Sequence, residues 1–115
     1  MADWDTVREL AGALPGAEEG TCYGEPAFRV RKKLFTWMSP SEHGALCVQV
    51  DPGEKELLLE ANPEAYFTTP HYAGSPTLLV RFEHIGRDEL GERIEDAWLL
   101  RAPKRLVDEF VSRET

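Results

Sequence analysis

The sequence predicts a single two-layer α+β domain, an antiparallel sheet with its helices packed on one face. Its 115 residues are enough to form one hydrophobic core, and no linker or internal repeat divides residues 1–115. Apolar periodicity indicates the element order α-βββ-α-β-α. Turns of hairpin length join the first three strands, which makes those strands antiparallel neighbours.

The N-terminal segment predicts a helix, because apolar residues recur in it every three or four positions. These residues are Trp4, Val7, Ala11 and Leu14. Pro15-Gly16 ends the helix, since both residues interrupt helical backbone. Residues 18–21, Glu-Glu-Gly-Thr, predict a polar connector.

Three strands follow the connector. In order, the segments are strand 23–30, hairpin tip 31–33, strand 34–38, turn 40–44 and strand 45–50. Alternation in the first strand puts Phe28 and Val30 on one face and Arg29 on the other.

The second half of the chain predicts helices on either side of a fourth strand. In order, the segments are helix 54–61, a short turn 63–67, a constrained loop 69–76, strand 77–83, a long helix from residue 88 and a final helix 104–111. Asp51 is suited to cap helix 54–61, with Pro52 at its first position. Pro103 separates the last two helices, because proline interrupts helical hydrogen bonding.

The charge distribution indicates a localised anion-binding face. The formal net charge is −8. Residues 26–41 nevertheless carry four basic side chains and no acidic one, and residues 97–107 carry three more, again without an acid. The rest of the chain is strongly acidic and repels a polyanion at low salt, which argues against a non-specific nucleic-acid coat.

The first basic island predicts a hairpin that can hold phosphate. Its basic residues are Arg29, Arg31, Lys32 and Lys33. They stand beside Phe28, Phe35 and Trp37, and such a combination can grip phosphate and stack on a base. The alternative is a solvated strand face whose aromatic residues belong to the core.

The second basic island lies at the junction of the last two helices. Its sequence Ala102-Pro103-Lys104-Arg105 puts Lys104 and Arg105 near a helix start, where free N–H groups favour an anion. The alternative is a surface joint without a ligand.

The loop 69–76, Thr-Pro-His-Tyr-Ala-Gly-Ser-Pro, is the most constrained stretch of the chain. His71 has the pKa range of a general acid or base, yet no nucleophile or metal-ligand spacing accompanies it. We therefore expect no enzyme activity, no metal and no cofactor. We expect His71 to hydrogen-bond the loop backbone and Tyr72 to pack into the core.

Compartment and redox state follow from what the sequence lacks. No apolar run approaches the roughly 20 residues of a membrane span, and the acidic N-terminus does not resemble a signal peptide. The expected location is the cytoplasm, away from membranes, with Cys22 and Cys47 reduced.

Four segments together resemble the MmcQ/YjbR family of small bacterial proteins. They are residues 14–20 (Leu-Pro-Gly-Ala-Glu-Glu-Gly), 24–30 (Gly-Glu-Pro-Ala-Phe-Arg-Val), the loop 69–76, and 98–106 (Trp-Leu-Leu-Arg-Ala-Pro-Lys-Arg-Leu). The resemblance implies an α+β fold of the CyaY-like or secretion-chaperone-like type, with the fourth strand region split into two. It also implies DNA binding by a double-wing arrangement, with the hairpin 29–33 as one wing and Arg81, Lys104 and Arg105 facing phosphate.

Two functional hypotheses remain. In the first, the domain binds double-stranded DNA through its basic hairpin and its basic helix joint. In the second, it binds a protein or a small acidic ligand in an apolar pocket beside residues 70–76 of the loop, with Arg81 as the polar anchor. The residues expected to line that pocket are Tyr23, Trp37, His71 and Tyr72.

Overall fold

In the computed structural model, which describes residues 1–114, one antiparallel sheet carries four α-helices. The strands are β1 (Ala17–Cys22), β2 (Glu25–Val30), β3 (Lys33–Met38), β4 (Ala45–Gln49), β5 (Tyr66–Phe67) and β6 (Thr77–Arg81). The helices are α1 (Trp4–Gly12), α2 (Pro52–Ala61), α3 (Arg87–Arg101) and α4 (Lys104–Glu114). The strand order is β1-β2-β3-β4-β6-β5, so the predicted α+β fold with an antiparallel sheet is confirmed.

The helices share one core against one face of the sheet. Val7 of α1, Ile94 of α3 and Leu106 of α4 are buried in the same cluster as Phe28 and Val48 of the sheet, and Leu58 and Leu59 of α2 pack against it. Burying this much apolar surface is the main term that stabilises the fold. None of the described helices is long and apolar enough to cross a bilayer.

Residues 18–21 were expected to form a polar connector, and this prediction is wrong. They lie in β1, which pairs with β2 along its whole length, from Ala17 opposite Val30 to Cys22 opposite Glu25. β1 is an edge strand and its four central side chains are exposed. Because pairing uses backbone groups that every residue carries, no apolar alternation marks this strand in the sequence.

The C-terminal half follows the predicted order with shifted boundaries. Asp51 caps α2 by accepting a hydrogen bond from the Gly53 N–H at 2.8 Å. The fourth strand ends at Arg81 rather than at residue 83, because a short 3₁₀ turn occupies Phe82–His84. The predicted turn 63–67 contributes a further strand, β5, which pairs with β6, whereas the predicted fourth strand itself is the single strand β6.

The second face of the sheet carries a smaller apolar cluster. Buried residues of the cluster are Ala27, Trp37, Ala45, Cys47, Tyr72 and Leu79. Tyr72 belongs to the loop 69–76, so the loop lies over part of this otherwise open face. Among the described residues, no helix residue belongs to this cluster.

Candidate anion-binding surface

The tip of the β2–β3 hairpin is a tight two-residue turn made of two cations. Val30 pairs with Lys33, and between them Arg31 and Lys32 have φ angles of 49° and 71°. Two successive positive φ angles are those of a type I′ turn, which normally carries Asn-Gly because other residues are strained there. Retained strain of this kind is found most often at functional sites.

The second basic island lies at the same end of the molecule as the hairpin tip, and one packing contact places it there. Gly16 has a φ of 70°, and a Cβ placed there would come within 2.9 Å of a Leu106 methyl and 3.6 Å of a Val30 methyl. Leu106 of α4 therefore packs beside Val30, the last residue of β2. Lys104 and Arg105, which immediately precede Leu106, are brought to the hairpin end of the sheet.

Most cations at this end are free of acidic partners. Arg31, Lys32, Lys33 and Arg105 are exposed, and none of them forms an ion pair or a side-chain hydrogen bond with the described residues. Lys104 is the exception, because its ammonium lies 3.0 Å from the Asp108 carboxylate, one turn along α4. We call Arg31, Lys32, Lys33, Lys104 and Arg105 the basic end.

Arg29 lies on the open face beside the basic end. Its guanidinium donates to the Thr21 carbonyl at 2.9 Å and so extends along the edge strand β1. This hydrogen bond directs the side chain away from the tip, and Glu18 lies opposite Arg29 in the register of β1 and β2. Arg29 can therefore contact an anion on the open face rather than one at the tip.

Arg81 was grouped with these cations, and the structure separates it from them. Arg81 pairs with Ala45, so it lies beside the end of β3, whereas the tip precedes the start of β3. Strand length and strand spacing put about 20 Å between the two positions. Arg81 is also engaged locally, with its guanidinium carbon 4.1 Å from the centroid of the Phe67 ring and a 3.2 Å hydrogen bond to the Glu64 carbonyl.

Two of the four residues expected to line a ligand pocket are buried and two are exposed. Trp37 and Tyr72 are buried in the second apolar cluster, and burial raises the pKa of the Tyr72 phenol. Tyr23 is 89% exposed at the β1–β2 turn. His71 is exposed and makes an edge-on contact with the Tyr72 ring at 4.7 Å. The expected hydrogen bond from the exposed His71 to the loop backbone is absent among the described residues.

A lysine that the sequence did not single out holds the loop 69–76. Lys55 is buried on α2, and its ammonium donates to the carbonyls of Tyr72 at 2.7 Å and Ser75 at 2.8 Å. Burial lowers the pKa of Lys55, and the two carbonyls offset the cost of desolvating its charge. The helical spacing of α2 gives no signal for this role, since a lysine among glutamates reads as solvent-exposed.

Metal-ligating side chains and the buried cysteine are also possible sites in the described part of the chain. No three His, Cys, Asp or Glu side chains come together there as metal ligands. Burial raises the pKa of Cys47 to about 11, so this thiol is protonated and unreactive near neutral pH. The basic end is therefore the feature with the clearest chemical capacity, which is to bind an anion larger than one side chain can hold.

Comparison with known proteins gives a family and a fold. A family model described as YjbR matches residues 12–100. Uncharacterized proteins Rv2570 of Mycobacterium tuberculosis and Mb2600 of Mycobacterium bovis are 38% identical over 129 residues, covering 97% of this chain and 98% of theirs. The crystal structure of Deinococcus radiodurans protein DR2400, with the family-model domain DUF419, superposes with a TM-score of 0.73 at 21% identity, over 87% of this chain and 78% of that one.

Proposed function

The chain belongs to the YjbR family, and from that premise and the geometry of its cations we propose that it is a DNA-binding domain rather than an enzyme. The basic end contacts the phosphate backbone of double-stranded DNA. The observation that carries the proposal is the meeting of two basic islands, remote in sequence, through the contact of Leu106 and Val30 around Gly16.

The composition of the basic end suits a phosphate backbone. A polyanion offers phosphates at regular spacing, and a protein gains affinity by replacing their counterions with its own cations. Arg31 and Lys32 are exposed at the tight turn, and Arg105 is exposed on α4 next to Leu106, which lies near Val30 at the base of the turn. Phe28, Phe35 and Trp37, the aromatic residues expected to stack on a base, are buried, so the proposed contact is with the backbone and carries no sequence preference.

The net charge of −8 limits this contact without preventing it. Charges separated by more than about 10 Å are largely screened at 0.1 M salt. Most of the acidic side chains therefore weaken the interaction at low salt but have little effect on phosphates held directly by the basic end. The proposal places the protein in the cytoplasm, in reach of the chromosome.

The test is fluorescence anisotropy with a labelled duplex of roughly 20 base pairs, long enough to cover a protein of this size. We expect wild-type protein to bind at low salt, and the triple reversal Arg31→Glu, Lys32→Glu, Lys33→Glu to abolish binding. Because that variant changes the total charge greatly, the decisive comparison uses single reversals.

Arg105→Glu and Arg87→Glu form a matched pair of equal charge change. Arg105 belongs to the basic end, whereas Arg87 opens α3 and pairs with Glu9 at 3.0 Å. We expect Arg105→Glu to lower affinity about fivefold to tenfold, the loss of one phosphate contact with added repulsion, and Arg87→Glu to have little effect. Equal losses in both variants, or no binding by the wild type at low salt, would rule the proposal out.

A further inference from the structure

A second surface lies in a groove between α2 and α3, and it is acidic and apolar where the basic end is cationic. The helices run antiparallel, as shown by the Asn62 amide near the end of α2, which lies 3.5 Å from the Glu89 carboxylate near the start of α3. The groove between them has a volume of about 250 Å³. Its lining includes Asp51, Glu54, Leu58, Asp96, Leu99 and Leu100. A second cavity shares Glu54, Leu58 and Asp96 with it and is also lined by Leu57.

Two leucines beside this groove are exposed to solvent. Leu57 is 64% exposed and Leu100 is 48% exposed, and every other leucine of the described chain is buried or half-buried. Exposing them costs solubility and contributes little to the core, whereas a leucine side chain gains about 1.5–3 kcal/mol when it is fully buried. A pair of exposed leucines on one groove therefore indicates a surface that a partner covers.

Acidic groups occupy the middle of the groove between these leucines. On each helix a carboxylate precedes a Leu-Leu pair by one turn: Glu54 precedes residues 57–58, and Asp96 precedes residues 99–100. Arg93 is held by Asp96 at 3.1 Å and lies 3.8 Å from Glu92, so it is neutralised within its own helix. Glu54 has no side-chain partner among the described residues, which leaves a net negative charge at the centre.

We propose that this groove docks an amphipathic helix of a protein partner, with a lysine or arginine flanked by apolar residues one turn away on each side. The charge complementarity selects the occupant, since the basic residue meets Glu54 and the apolar residues cover Leu57 and Leu100. Helices commonly bind in hydrophobic grooves between two other helices, through anchors spaced three or four residues apart. The surface does not include the basic end, so the proposal is independent of DNA binding.

The probe is a labelled synthetic helical peptide of about 18 residues, built from leucine, lysine and alanine so that leucines flank lysines on one face. Two control peptides carry glutamate in place of lysine, or the same composition in shuffled order. Fluorescence anisotropy measures binding to the full chain. We expect the amphipathic basic peptide to bind and both control peptides to bind at least tenfold more weakly.

Two pairs of variants assign the binding to the groove. Leu57→Ser should weaken the basic peptide about tenfold, whereas Val111→Ser, at a residue of comparable exposure on α4, should not. Glu54→Gln should weaken it severalfold and reduce its salt dependence, whereas Glu60→Gln on the same helix should not. We expect these variants to fold like the wild type, because the substituted side chains are exposed. We also expect them to bind DNA like the wild type, because none of these residues belongs to the basic end.

Three results would overturn the proposal. The peptide could fail to bind the wild type, it could bind Leu57→Ser as well as wild type, or the glutamate peptide could bind equally well. Sedimentation equilibrium provides the remaining test, because a dimer that dissociates on Leu57→Ser substitution would assign the groove to a second copy of the chain instead of a partner helix.

Discussion

The strained hairpin tip makes the sharpest prediction, because stability and binding should change in opposite directions. Arg31 and Lys32 have φ angles of 49° and 71°. Replacing them with Asn-Gly, the pair that a type I′ turn favours, puts residues that tolerate positive φ at both positions. Relief of this strain is worth about 1–2 kcal/mol. The added glycine makes the unfolded chain more flexible and offsets about 0.5–1 kcal/mol of that gain. We expect a net stabilisation of about 1 kcal/mol, or roughly 4 °C in Tm for a domain of this size.

The same change should weaken DNA binding by a calculable amount. Four unpaired cations at the basic end, Arg31, Lys32, Lys33 and Arg105, predict a slope of about −3.6 for log Kobs against log salt, and two remaining cations predict about −1.8. Between 50 and 200 mM salt the wild type should then lose about a hundredfold in affinity and the variant about tenfold.

Urea denaturation and salt-dependent anisotropy measure the two effects on the same preparation. The control is Tyr23→Asn, which creates Asn-Gly at the other hairpin, where Tyr23 has a φ of 51° and precedes Gly24. It should gain similar stability without changing DNA binding. The reasoning fails if the tip variant is less stable than the wild type, or if it is more stable and keeps the full salt slope.

Two further predictions concern what holds the basic end and the loop in place. Lys55→Met should lower the free energy of unfolding in urea by about 2–4 kcal/mol, because two buried loop carbonyls lose a charged donor. Amide hydrogen exchange should become faster selectively in the loop 69–76, and exchange there at the wild-type rate would contradict the role of Lys55. Gly16→Ala should cost about 1–3 kcal/mol, since its Cβ meets the Leu106 methyl at 2.9 Å on backbone of positive φ, and it should reduce DNA affinity by displacing α4. The matched change Gly12→Ala has open space around its Cβ and should be neutral or slightly stabilising; equal effects of the two alanine substitutions would refute the packing argument.

Sequence periodicity predicted the elements that bury an apolar stripe. Helix α2 with its Asp51 cap, strands β3 and β4, and the break at Pro103 all lie within a few residues of their predicted positions. In these elements the local pattern of apolar side chains and the local breakers are sufficient, because each depends only on neighbours within one or two turns.

Elements that depend on distant partners were not visible in the same way. β1 exposes its side chains and is held by backbone hydrogen bonds to β2, so its sequence carries no alternation. Lys55 resembles a solvated helix residue until the loop 69–76, some twenty positions later, supplies the carbonyls that bury it. A single sequence does not encode such contacts as a pattern, because their partners are fixed only by the packing of the whole chain.

The basic end depends both on the local sequence and on the tertiary structure. By itself the sequence determined that two basic islands exist, that one of them is a hairpin tip, and that an acidic body surrounds them. Only the tertiary structure decided that residues 31–33 and 104–105 lie at the same end of the sheet while Arg81 lies toward its opposite end. The physical reason is that charge is a property of each residue, whereas its convergence depends on a packing contact, here of Leu106 beside Val30, between segments distant in the chain.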